Sequence, residues 1–265
     1  MCTAIVSVGP GPSLLLAGIR DELASRPWRP PGRHWPDYPE LTGGLDLLAG
    51  GTWLAVAPRA GRVGCVLNGR GQMAPAASRR SRGVLPLLAA AEGKLPPGGL
   101  AGFDPFHLLT GEPGRAWLAS WDGERLTERQ LPAGLHMIVN SGLASDLLAA
   151  QGPAAQQQTG CAHELARIGY FLPRLRATAV PQPRPGVPAA GAWGGWLPLL
   201  AGDGLATGDP RALIVRRDLG DGRIYGTTSV SLVALTGGAV RYDFTGRPGD
   251  PGGWQPVRLD PPGAR

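Results

Sequence analysis

The chain opens on two apolar runs rich in β-branched and aliphatic residues, Thr3 to Val8 and Ser13 to Ile19, separated only by Gly9-Pro10-Gly11-Pro12. Strand-like runs joined by so short a turn signal predict an antiparallel hairpin. The second strand then returns along the first and carries Arg20 and Asp21 back beside Cys2. Cysteine directly after the initiator methionine is small enough for Met1 to be removed, which leaves a thiol and a free α-amino group on one residue. Such an amine titrates at about 7.7 to 8.0 and a thiol at about 8.5, so base and nucleophile coexist near neutral pH. Arg20 can lower the thiol pKa, and Asp21 can hold the ammonium form of the amine. The same residues also read as an ordinary chain end followed by a solvated turn, and residue types alone leave both readings open.

A chain of 265 residues is long enough to bury about three quarters of its unfolded surface without covalent staples. The three cysteines, Cys2, Cys65 and Cys161, are an odd number at no metal-binding spacing, which points away from a disulfide framework or a zinc site. The N-terminus has no basic leader region, and Gly9 to Pro12 interrupts its apolar runs, so neither a secretory signal nor a membrane span is expected. A soluble, cytoplasmic protein is the expectation. The net charge of +6 would suit an anionic partner, but Lys94 is the only lysine and the arginines are scattered, apart from Arg79-Arg80-Ser81-Arg82. That cluster has no interleaved aromatic residues on which bases could stack, so no nucleic-acid partner is expected.

Further along, Arg26 to Pro39 carries five prolines and reads as an extended loop, because proline lacks a donor and fixes φ. Thr52 to Ala57 and Arg62 to Leu67 read as a second hairpin, and Gly83 to Glu92 as a helix. Phe103 to Leu109, Arg115 to Ser120, Arg125 to Gln130 and Gly134 to Val139 read as an antiparallel meander with a turn at Asp122-Gly123. Asn140 or Ser141 suits a helix N-cap for Leu143 to Ala150. Gln151 to Thr159 reads as a polar connector, and Cys161 to Leu172 as a helix whose His163, Glu164 and Arg167 form a solvated face. Strand-like runs from Ala212 to Phe244 close the sheet. One domain over residues 1–245 is expected, followed by a Pro- and Gly-rich, loosely ordered tail over 246–265.

Met-Cys-Thr-Ala-Ile at the start, then Arg20-Asp21-Glu22, Arg26-Pro27, Leu45-Asp46, Gly50-Gly51-Thr52-Trp53-Leu54, Leu67-Asn68, Ser81-Arg82-Gly83, Val139-Asn140-Ser141 and Tyr225-Gly226-Thr227 occur in that order. The ordered set resembles the NRDE family, also called the transport and Golgi organisation protein 2 family, over residues 1 to about 236. The resemblance implies an α+β fold of the N-terminal nucleophile hydrolase kind, a four-layer αββα sandwich of mainly antiparallel strands with Cys2 at a strand start. It implies Cys2 as nucleophile, assisted by Arg20 and Asp21, with Asn68 and Asn140 at the oxyanion. The activity implied is hydrolysis of a non-peptide carbon–nitrogen bond, a linear amide of some small molecule, with no cofactor. The alternative implied by the same family is a non-enzymatic carrier of haem or an acyl lipid, for which His34, His107, His136 and Met137 are the ligand candidates. Two positions depart from the family pattern. Ile19 stands where its name-giving asparagine would be, and Thr228 where many relatives carry arginine, which removes a positive charge from the expected site.

Overall fold

The computed structural model describes residues 2–11, 13–150 and 162–259. The opening hairpin forms as expected: β1 (Thr3–Val8) pairs with β2 (Ser13–Leu23) in a register that sets Thr3 opposite Ile19 and Val8 opposite Leu14. Both strands are buried along most of their length, because both faces are covered. Ala4, Val6, Val8, Leu14 and Leu16 point into a core shared with Leu54, Val56, Val63, Leu109 and Leu118 of a second sheet. Ile5, Leu15, Ala17 and Ile19 point the other way, onto a helical layer. Alternation along a strand therefore carries two separate apolar faces, and the continuous hydrophobic run needs no other explanation.

The second sheet is a simple meander: β3 (Trp28–Gly32), β4 (Thr42–Asp46), β5 (Leu54–Ala57), β6 (Arg62–Asn68), β7 (Phe106–Glu112), β8 (Arg115–Trp121) and β9 (Leu126–Leu131) neighbour one another in chain order. The segment around Arg26 to Pro39, read as loop, contributes β3. Its two prolines are tolerated because β3 is the edge strand and its register shifts between Arg29 and Gly32. α1 (Leu85–Glu92) covers the outer face through Leu85, Leu87, Ala89 and Ala90. Its approach is close enough that a Cβ at Gly64 would lie 2.5 Å from the carbonyl oxygen of Pro86, so β6 requires glycine there.

β10 (Gly134–Val139) does not continue the meander. It crosses to the first sheet and pairs with β1, Thr3 opposite Val139. That sheet runs β11 (Gly142–Leu143), β10, β1, β2, β13 (Ile224–Thr236), β14 (Ala239–Thr245), β15 (Gln255–Pro256), with β12 (Arg216–Asp218) attached to β13. All strand pairings between named strands are antiparallel. The chain beyond Thr245 is more ordered than expected up to Leu259: β15 lies along β14, and Val257 and Leu259 pack against the inter-sheet core.

α2 (Ala144–Ala149), α3 (Ala162–Ala177), α4 (Ala189–Trp193) and α5 (Trp196–Leu200) make the fourth layer. The N-cap of α2 is Leu143, without a side-chain cap, so neither Asn140 nor Ser141 serves there. The whole of the expected 151–159 connector and Cys161 lie outside the described residues. α3 overturns its sequence reading. Glu164 and Arg167 are buried on the same stripe as Ile168, Phe171, Leu172 and Leu175, rather than forming a solvated face. The architecture is the four-layer αββα sandwich of antiparallel strands.

Candidate functional site

The start of β1 lies beside the end of β2, and strand alternation sorts the side chains there. Arg20 shares parity with Leu16 and turns between the sheets, whereas Asp21 shares parity with Ala17 and Ile19 and turns toward the helices. Cys2 lies one residue before Thr3 and packs against the inter-sheet core. Its thiol donates to the backbone carbonyl of Asp21 at 3.6 Å. Cys2, Arg20, Asp21 and Asn68, which ends β6 in the opposing sheet, all line one cleft of about 540 Å³, with Arg26, Asp46, Trp53 and Arg82 among its other walls.

Asp21 is held from several sides. Thr227 Oγ1 donates to its Oδ1 at 2.7 Å, and Arg167 Nη1 of α3 stands 3.8 Å from its Oδ2. Arg167 also donates to Thr3 Oγ1 at 2.8 Å and to the Ala212 carbonyl at 2.9 Å. Burial pushes the Asp21 carboxyl above the usual carboxylate range, and the Arg167 cation and the Thr227 hydrogen bond work against that shift. Burial also raises the Cys2 thiol, the Asp21 carboxylate adds to the rise and Arg20 is only a minor influence against it, so the resting group is the thiol that donates to the Asp21 carbonyl.

Arg20 is tied into a network. It donates to Asp46 Oδ2 at 3.1 Å and to Thr228 Oγ1 at 2.9 Å, and its guanidinium lies 4.6 Å from the Trp53 ring centroid. Thr228 sits where the β2–β13 register shifts, between Thr227 and Ser229. This bulge turns its hydroxyl to Arg20, so the position that lacks the family's arginine still contacts the site. Arg26 completes the network with a two-point pairing to Asp46 at 2.6 and 3.1 Å, and the backbone N–H groups of Leu48 and Ala49 also donate to Asp46.

Burial opposes ionisation of Asp46, but Arg26 and the Ala49 N–H outweigh it and hold the carboxyl below the usual range. A carboxyl depressed on folding contributes stability above its unfolded pKa of about 3.9, and loses it as pH falls through the lower folded value. The gap in urea midpoint between the wild type and Asp46→Asn is therefore expected to be full from about pH 5 upward and to narrow as pH falls below about 3.9. A gap independent of pH would remove the charge from this explanation.

Asn140 follows Val139 at the end of β10, beside the β1 terminus by register, yet it does not line the cleft. Its Oδ1 is enclosed without a hydrogen-bond partner among the described residues, and its backbone carbonyl meets His107 Nε2 at 3.2 Å. The ligand candidates for haem are dispersed. His34 Nε2 meets the Pro30 carbonyl and His136 Nε2 the Pro132 carbonyl, His107 Nδ1 meets Ser120, and Met137 is in the helix-side core. None of the four lines the Cys2 cleft. Among the described residues, no group of three or more His, Cys, Asp and Glu side chains could hold a metal ion, and no helix is long and apolar enough to cross a membrane.

Asp46, Arg26, Trp53 and Arg82 lay inside the motifs quoted above, without a role assigned. Arg167 had a different signal: residues 164, 167, 168, 171, 172 and 175 follow helical i, i+3, i+4 spacing, which places the two charges on the apolar stripe.

The sequence model of Transport and Golgi organisation 2 (TANGO2) matches residues 1–152. The chain belongs to the TANGO2 family. The matched part includes both strands that carry Cys2, Arg20 and Asp21, and all of β3 to β11. No curated protein matches this TANGO2-family chain. Among solved structures, penicillin V acylase from Agrobacterium tumefaciens is similar over 92% of this chain and 83% of its own, at 13% identity and a TM-score of 0.51. The N-acylethanolamine-hydrolyzing acid amidase (NAAA) ortholog of Caenorhabditis elegans matches over 95% of each chain at 12% identity and a TM-score of 0.47. At such identities the acylase likeness establishes a shared fold, the N-terminal nucleophile hydrolase fold, for this member of the family.

Proposed function

We propose that this protein hydrolyses a linear amide, a non-peptide carbon–nitrogen bond, with the Cys2 thiol as nucleophile. The observation that carries this reading is the convergence of Cys2, Arg20, Asp21 and Asn68 on one cleft between the sheets. Once Met1 is removed, the α-amine of Cys2 takes the thiol proton, and sulfur attacks the amide carbonyl carbon. Collapse of the tetrahedral intermediate breaks the carbon–nitrogen bond, the ammonium returns the proton to the departing amine, and a thioester remains on Cys2. Water, deprotonated by the same amine, then releases the acid and the thiol. Asp21 orients the ammonium form, and Arg20 favours the thiolate, tempered by its bonds to Asp46 and Thr228. Asn68, which lines the cleft, is the donor assigned to the oxyanion, and Asn140, outside the cleft lining, would have to turn its amide into the cleft to add a second.

Brief iodoacetamide treatment at neutral pH, read by peptide-resolved mass spectrometry, tests the premise. Met1 should be absent and Cys2 should be alkylated far ahead of Cys65, which is buried and whose thiol burial pushes up to about 12. Retention of Met1, or equal labelling of the two cysteines, removes the nucleophile and the hydrolase reading with it. If the labelling is as expected, intact-mass screening against acyl amides should trap an acyl adduct on Cys2.

A further inference from the structure

The cleft carries more positive charge than its own carboxylates neutralise. Its lining includes Arg20, Arg26, Arg79, Arg80 and Arg82 against Asp21, Glu22, Asp46 and Asp104. Arg20 and Arg26 share Asp46, with Glu22 3.9 and 3.8 Å away, and Arg79 pairs with Asp104 at 3.1 Å. Arg82 and Arg80 differ. Arg82 donates to a neutral acceptor, the Pro105 carbonyl, at 2.7 Å, and Arg80 lies over the Phe103 ring, 4.5 Å from its centroid. Neither has a carboxylate within ion-pairing distance among the described residues.

The backbone holds these two groups in place. The Arg80 N–H bonds the Gly102 carbonyl at 2.7 Å, and the Thr52 N–H bonds the Gly83 carbonyl at 2.9 Å. The close approach is enforced by sequence, because a Cβ on Gly51 would lie 2.4 Å from the Gly83 carbonyl carbon. A segment fixed at both ends thus lays Arg82 along the wall of the cleft that contains Cys2. Burial disfavours the Arg82 charge, and the Asp104 carboxylate, beyond ion-pairing distance, partly offsets that. An arginine in this position has donors left over in a planar fork, the geometry that matches a carboxylate.

We infer that the cleft selects substrates bearing a carboxylate near the scissile amide, and that Arg82, backed by Arg80, is the residue that reads it. This rests on the amide-hydrolase reading for the word amide, but the anion site stands on the arginine geometry alone. N-Acyl amino acids and amides of dicarboxylic acids are the substrate class that fits.

Two alkylating agents of nearly equal size test the inference. Iodoacetate carries a carboxylate where iodoacetamide carries a neutral amide, and both alkylate sulfur with loss of iodide. The ratio of their rates at Cys2, divided by the same ratio for N-acetylcysteine, should exceed unity by roughly fivefold, as one partly buried charge pair predicts. Arg82→Gln should collapse that preference, and Arg82→Lys should retain part of it. A normalised ratio at or below unity overturns the inference. So does a ratio that persists in Arg82→Gln, including the case where both rates fall together, which would assign Arg82 to the thiolate instead.

A second measurement does not depend on Cys2 chemistry. Calorimetric titration of the Cys2→Ala protein should show hippurate binding about tenfold tighter than hippuramide, with the difference lost in Arg82→Gln. Equal affinities, or no hippurate binding, overturn the anion site. An unreactive Cys2 together with preferential hippurate binding would sink the hydrolase reading and leave the anion site standing.

Discussion

Cys2→Ala should abolish the proposed amide hydrolysis, lowering kcat by roughly 10⁴-fold or more, the scale seen when the nucleophile of a covalent mechanism is removed. The expectation is this large because no other thiol among the described residues is placed to take over. Cys65 is the other described thiol, but it lies within β6 and is buried, and burial pushes it up to about 12. Alanine is also small enough for Met1 removal, so the variant keeps a free α-amine and isolates the sulfur. Its cost to folding should be minor, since Cys2 is only partly buried at the edge of the inter-sheet core. Steady-state rates on an amide that acylates the wild type decide the matter, with thermal unfolding as the folding control. A variant that keeps more than about a tenth of the wild-type rate would place the chemistry on another residue.

The hairpin and the grouping of Cys2, Arg20 and Asp21 were legible in the sequence, because a short Gly-Pro turn fixes register and register fixes which residues meet. The fourfold layering was legible only through the family resemblance. The two-sided burial of β1 and β2 is a property of what lies above and below them, and a run such as Ala4-Ile5-Val6 does not distinguish one covered face from two. The departure of β10 from the meander was hidden for the same reason. Gly134 to Val139 has strand character whichever sheet receives it, and only long-range pairing with β1 decides. Arg26 and Asp46 illustrate another limit. Their motifs were visible, but a bidentate pairing across 20 residues has no local spacing rule to announce it. Glu164 and Arg167 were misread rather than hidden. Their charge suggested water, while their helical phase put them inside, and the phase was the better guide because each finds polar partners there.

Arg167→Met should be the most destabilising conservative-volume change in the helical layer, at about 3 to 5 kcal/mol, or roughly 10 °C in Tm for a chain of this length. Methionine replaces most of the apolar stem. What it removes are the bonds to Thr3 Oγ1 and the Ala212 carbonyl and the cation beside Asp21. Breaking one partner of a buried pair costs more than the pair contributes, because the other charge stays behind. The Asp21 carboxyl, already raised by burial, loses an opposing influence and rises further. The sign of the pH dependence follows. A carboxyl whose folded pKa lies above its unfolded value of about 3.9 costs stability as pH rises from there toward the folded value. Arg167→Met should therefore be least handicapped at about pH 4 and progressively more so toward pH 7, and Asp21→Asn in the same background should flatten that slope. Urea unfolding of the two single variants and the double variant at both pH values completes the cycle. A coupling of at least about 1 kcal/mol identifies the contact as electrostatic, whereas additivity within about 0.5 kcal/mol would reduce Arg167 to packing. The same loss would act on the proposed chemistry, because a protonated Asp21 could no longer hold the ammonium group of Cys2, and α3 would then support that chemistry without touching it.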